Sequence, residues 1–384
     1  MMSRAVLSMI VLSILLSGNK RIDNNERLFF NSSFRPTEAY KSSKIPIHFK
    51  DSIPDDTLTL YFSDANLPVA FSRNISTAVC YDSLCRRANI TLYWEVFGKY
   101  LGYSIPRGDE LTKKEHVPFS DSDYARLNEV LSDSLSALKY FTLDKIIPVK
   151  PIAGKADAIS GATVPNLEPW IVPAAAYTSF TLWKITYGAT RDSIVVYTKK
   201  NLLINKLIFN ALRNWDPYNQ IKALQWIGET NIPHDPFIEP ALNILHSGNF
   251  YTSRQALKFL KKCTLSTEFL QMEMIKLFEK EDFRIKNAVI EYISSANKLT
   301  KPVAVEMFRL LKDDDYYLVN VMLTLLTKRY QPDYADQLYL SRLLKSKNKN
   351  VSNRVYSYLS NIPDQSHDIA RLLNRYRKKI FDQN

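Results

Sequence analysis

Ala223-Leu-Gln-Trp-Ile227, Ala256-Leu-Lys-Phe-Leu260, Val289-Ile-Glu-Tyr-Ile293, Met322-Leu-Thr-Leu-Leu326 and Val355-Tyr-Ser-Tyr-Leu359 are five versions of one phrase, each 33 residues after the last. An apolar residue, an aromatic or leucine three positions on, and an aliphatic directly after it share one side of a helix. A second column, Leu212, Leu245, Phe278, Leu311 and Leu344, keeps the same spacing and falls in the preceding helix of each unit. One helical hairpin cannot bury its apolar face alone, whereas stacked hairpins share a continuous core. Residues 201–384 therefore read as an α-solenoid of about five 33-residue helical hairpins. Asp216-Pro217, Pro233, Pro236, Lys301-Pro302 and Gln331-Pro332 fall near expected helix starts or turns, where proline is tolerated.

The ankyrin signature Thr-Pro-Leu-His is missing, and the tetratricopeptide pattern of Trp, Gly and Tyr does not repeat. By elimination the array resembles the HEAT-like solenoids. That resemblance implies a surface offered to a partner rather than a reactive centre. His234, His246 and His367 do not recur at the repeat period and read as surface or capping groups.

Upstream the texture changes. Leu58, Leu60 and Phe62 alternate as in a strand, Val69 and Phe71 begin another, and Ile90, Leu92 and Trp94 mark a third. Ser120 followed by Asp121 to Leu131 reads as a capped helix, Asp144 to Ile147 as a short apolar turn, and Ile171 to Tyr187 as a helix after Pro173. Mixed strands and helices over 57–200 predict an α+β N-terminal domain. Residues 19–56, polar and rich in Asn and Ser, read as a poorly ordered lead-in.

The chain has 384 residues, 46% of them hydrophobic and 23% charged, which excludes a mostly disordered protein. Residues 1–18 combine a cationic tip, the apolar run Ala5 to Leu16 and small residues behind it, the pattern of a signal peptide. The run is too short for a bilayer of about 30 Å. Leucines stand where small residues belong at the cleavage site, so an uncleaved, membrane-tethered start is the alternative. The expectation is an exported protein of the periplasm or cell envelope. In that compartment Cys80 and Cys85 read first as a disulfide, with a redox-active dithiol or two free thiols as alternatives. Cys263 reads as an inert buried thiol.

Net charge is +12, and export argues against nucleic acid as the partner. Between Arg342 and Lys379 ten basic residues face two acidic ones. A solvated end-cap is the plain reading of that stretch, and a patch for an anionic membrane surface or an acidic partner is the other.

The informative motif is Ala156-Asp157-Ala158-Ile159-Ser160-Gly161-Ala162-Thr163. Its small residues surround a glycine that frees the backbone, and two hydroxyls beside exposed amides can cradle a phosphate. The spelling Asp-x-x-Ser-Gly-Ala-Thr resembles the attachment motif of the FMN-binding domain family, found in flavin subunits of sodium-pumping NADH:quinone reductases and their ferredoxin-linked relatives. The resemblance implies FMN esterified through its phosphate to Thr163 by a magnesium-dependent FAD:protein FMN transferase. It implies that Gly161 and Ala162 leave room for the phosphate, that Ser160 offers a hydrogen bond, and that Asp157 is the acidic position the transferase recognises. Unlike the family, this chain has Val164-Pro165 and Pro169 after the motif, which postpone the next helix. Tyr177, Phe180 and Trp183, at helical spacing, read as core, with a flat ring pocket as the alternative.

The expectation is an exported flavoprotein relaying electrons between envelope or membrane partners, docked through its helical repeats. It is a carrier rather than a complete enzyme. The alternative is an envelope adaptor with no flavin.

Overall fold

The computed structural model describes residues 26–49, 51, 53, 57–78, 87–146, 167–214, 216–247, 249–263, 268–280, 283–363 and 365–381. The signal segment 1–18, Cys80, Cys85 and the motif from Asp157 to Thr163 lie outside the described residues. The chain divides into two units, Met1–Leu203 and Ile204–Asn384. The first is α+β and the second is an all-α helical solenoid.

Six antiparallel strands form the sheet of the first unit: β1 (Glu26–Phe30), β2 (Lys41–Pro46), β3 (Thr57–Phe62), β4 (Pro68–Thr77), β5 (Ala88–Glu95) and β6 (Tyr100–Pro106). The order β1-β6-β5-β4-β3-β2 is a meander from β2 to β6, with β1 laid along its far edge. Leu60, Phe71 and Trp94 are register partners on one face and are buried, which is the alternation the strand-like runs require. The β5–β6 hairpin turns through Gly98, whose φ of +84° is closed to most side chains.

Helices α1 (Asp121–Ser132), α2 (Leu143–Ile146), α3 (Ala176–Tyr187) and α4 (Ala189–Tyr197) complete this unit. Helix α1 starts as the sequence predicts: Ser120 Oγ accepts from Asp123 N at 3.3 Å, and the Asp123 carboxylate accepts from Ser120 N at 2.8 Å. Helix α3 begins at Ala176, beyond both Pro169 and Pro173.

The expected disordered lead-in is corrected over 26–46, where the segment supplies both edge strands. Because β1 and β2 lie at opposite edges, the chain between them crosses the second face of the sheet. There Phe30 and Phe34 pack with Tyr61 on a buried cluster of Ala70, Tyr93 and Leu101. Composition hid this, since a few aromatic anchors hold an otherwise polar stretch.

In the second unit, α5 (Asn205–Arg213), α7 (Ile238–Ser247), α9 (Glu268–Lys280), α11 (Lys301–Leu310), α13 (Tyr334–Ser341) and α15 (His367–Phe381) alternate with α6 (Pro217–Ile227), α8 (Phe250–Leu260), α10 (Phe283–Ser294), α12 (Tyr316–Arg329) and α14 (Lys349–Ser360). The even-numbered set starts every 33 residues. Ala223, Ala256, Val289, Met322 and Val355 are all completely buried, as the repeat columns require.

A further column becomes visible in the helix caps. Asp216, Asn249, Asp315 and Asn348 each accept hydrogen bonds from first-turn backbone amides of α6, α8, α12 and α14. Side-chain bonds, first within and then between repeats, continue the pattern. Gln220 donates to Leu212 O at 3.2 Å, and Ser253 does the same to Leu245 O at 3.3 Å one repeat later. Lys262 Nζ donates to Gly228 O at 2.6 Å, and Arg329 donates to Ala296 O and Ser294 O. A cation from one repeat thus meets the open, electronegative carbonyl end of the helix in the repeat before it.

Candidate functional site

The expected flavin segment joins two described anchors. Helix α2 ends at Ile146, and the described chain resumes at Leu167; the two residues are only 4% and 7% exposed. Helix α2 and the 3₁₀ turn Ala137–Tyr140 both pack on α3.

Helix α3 is fixed to α1 by ring donors. Trp183 Nε1 donates to Asp133 O at 2.9 Å, and Tyr187 OH donates to Leu131 O at 2.7 Å, satisfying carbonyls at the end of α1. Trp94 Nε1 on β5 reaches Thr186 O at 3.0 Å, which ties α3 to the sheet. Phe180 and Trp183 are buried and Tyr177 is half-buried, so the first two belong to the core.

Over this core lies a cationic, aromatic surface. Lys184 Nζ donates to Lys139 O at 3.3 Å and sits 5.2 Å from the Phe180 ring centroid. Lys139 Nζ lies 4.6 Å over the ring of Tyr140, which is 75% exposed. The exposed Lys139 and the half-buried Lys184, beside the exposed Tyr140 ring, suit a ligand that combines negative charge with a flat face.

The other aromatic residues of the unit serve the fold. Burial pushes Tyr100 and Tyr103 well above the ordinary phenol range, with neighbouring tyrosines adding to it, so both remain proton donors. Tyr103 OH donates to Tyr124 O at 2.8 Å, and Tyr100 OH to Asn128 Oδ1 at 3.0 Å, clamping α1 to β6. The stretch from Tyr93 to Tyr103 is therefore core, as its aromatic density suggests.

Sequence reasoning missed Arg73. Its guanidinium, fully buried on β4, holds Asp51 with contacts of 2.6 and 3.1 Å and Thr190 Oγ1 at 2.7 Å, and stacks 3.7 Å from the Phe49 ring centroid. Its only signal was one arginine among the strand-like residues of β4.

Cys263 is 5% exposed, and burial, with Asp235 adding to it, pushes its thiol up to about 11. Among the described residues no group of three or more His, Cys, Asp or Glu could hold a metal ion, and no helix is long and apolar enough to cross a membrane. Comparison of the chain with protein-family models, curated proteins and solved structures returns no match.

Proposed function

We propose that this chain is an exported flavoprotein that carries FMN covalently on Thr163 and relays electrons between envelope or membrane partners, with the solenoid as its docking surface. The supporting observation is the motif itself, Asp157-x-x-Ser160-Gly161-Ala162-Thr163, in the connection from Ile146 to Leu167; in sequence Lys139 and Tyr140 precede that connection and Lys184 follows it on α3. Attachment balances as a phosphoryl transfer. Thr163 Oγ attacks the FMN phosphorus of FAD, the bond to the AMP oxygen breaks, AMP departs, and the hydroxyl proton passes to a base of the transferase. The bound isoalloxazine supplies the redox chemistry, and the protein supplies its position and surroundings.

The test is the absorption spectrum of acid-precipitated protein, made with and without a co-expressed FAD:protein FMN transferase. Yellow colour retained by the pellet, dependent on the transferase and lost in Thr163→Ala, supports the reading. A colourless pellet from co-expressed wild type contradicts it and leaves the second reading, an envelope adaptor. The solenoid favours that alternative, since stacked repeats commonly serve as binding surfaces.

A further inference from the structure

Helix α15 is the last described helix of the solenoid. Ile369 and Leu373 are buried, and the Tyr376 ring packs tilted against that of Tyr356, centroids 5.3 Å apart, while its hydroxyl donates to Asn353 Oδ1 at 3.0 Å. One side of the helix is therefore spent on α13 and α14. The opposite side carries His367, Arg371, Arg375 and Lys378 at helical spacing, all exposed, with Arg377 and Lys379 exposed beside them.

Elsewhere in the second unit cations meet carboxylates. Lys261 pairs with Glu291, Lys276 with Glu273, Lys301 with Asp333 and Arg309 with Glu306. Among the described residues α15 contributes no ion pair, and Arg371 bonds only to the ring of His367 at 3.4 Å. Like charges concentrated on an outer face repel one another, a cost that an anionic partner removes. The row bounds a shallow hollow rather than a deep pocket, so it reads charge density rather than side-chain shape.

We propose that the outer face of α15 docks this protein onto an anionic phospholipid surface. The apolar side of the helix is already committed to the solenoid, so attachment is peripheral and electrostatic, without insertion. The proposal is independent of the flavin and applies equally to unflavinylated protein.

The experiment measures co-sedimentation of the full chain with vesicles of phosphatidylcholine alone and of phosphatidylcholine mixed with phosphatidylglycerol. Binding is expected on the mixed vesicles only, falling steeply as salt rises from about 0.05 M to about 0.5 M. Each juxtamembrane cation contributes about fivefold, so the variant Arg371→Gln, Arg375→Gln, Lys378→Gln should partition about 100-fold more weakly. Its helix content and thermal midpoint should match wild type, because the three side chains are exposed and the one bond described for them, Arg371 to the ring of His367, stays on the surface of the same helix. A variant that exchanges arginine and lysine at the same positions should keep binding. Equal partitioning onto both vesicle types, or undiminished binding by the Gln variant, overturns the proposal. Capture of a polyglutamate peptide with no gain on anionic vesicles also overturns it, in favour of an acidic protein.

Discussion

Arg73 and Asp51 form a two-pronged ion pair in which the guanidinium is completely buried and the carboxylate side chain is 23% exposed. A buried cation depends on its partners far more than a surface one does, because removing the anion leaves the charge stranded. Thr190, the face of Phe49 and the Ile53 carbonyl also contact it. Asp51→Ala should destabilise the first unit by about 3–5 kcal/mol, whereas Arg73→Met, which removes the charge and keeps the volume, should cost clearly less. Urea unfolding of the two variants checks the order; equal losses would contradict it.

Gly102 permits the close approach of β1. A Cβ there would stand 2.3 Å from Phe29 O and 2.8 Å from Phe30 Cα, both backbone atoms. Gly102→Ala should therefore peel β1 from β6 and cost about 1–3 kcal/mol. Limited proteolysis should show new cleavage near Phe30 and Phe34, and a wild-type pattern would count against the close fit.

The Asx column of the solenoid predicts matched losses. Asn249→Ala and Asn348→Ala each remove a cap that accepts two first-turn amides, and each should cost about 0.5–2 kcal/mol. Asn→Asp at either position should be tolerated, since Asp fills the role at 216 and 315. Thermal unfolding checks both statements.

Acid should weaken the first unit in a defined way. Burial raises the Asp123 carboxyl, but hydrogen bonds from Lys113 and Ser120 outweigh it and hold the group below its ordinary range. Its folded pKa lies below the unfolded one, so this stabilisation is complete above about pH 4 and is lost as pH falls through the folded value. Asp123→Asn should lower stability at neutral pH and flatten the loss below pH of about 4. A pH series of thermal midpoints checks the slope.

The solenoid was legible because its repeat writes the same apolar columns five times, and helical packing leaves little freedom in placing them. The caps at Asp216, Asn249, Asp315 and Asn348 were equally periodic in the sequence, yet polar residues at turns carry little signal until the helix starts are known. The sheet was legible only at its centre. Its edges were not, because β2 is largely exposed and polar and β1 is a short run of five residues, and their place depends on Phe30 and Phe34 reaching across to Tyr61 and Tyr93. Arg73 was hidden for a related reason: its partners Asp51 and Thr190 are distant in sequence. The motif Asp157 to Thr163 was read from its spelling alone; it lies outside the described residues, which bound it by the buried Ile146 and Leu167.

Thiol counting tests the expected disulfide. In sequence, Cys80 and Cys85 each stand three positions from the last β4–β5 register pair, Thr77 and Ala88. With that pair bonded and the Cys263 thiol pushed up to about 11, native protein at pH 8 should react negligibly with an aromatic disulfide reagent. Unfolded but unreduced chains should show one thiol, and reduced chains all three. Three thiols without reductant would contradict the bond.

The most direct test of the central claim is the intact mass of the full chain co-expressed with an FAD:protein FMN transferase. The account predicts a single species heavier by one FMN less one water, with the added mass on the peptide containing Thr163 and absent from Thr163→Ala. An unshifted mass in the wild type, or the same shift in Thr163→Ala, would contradict it.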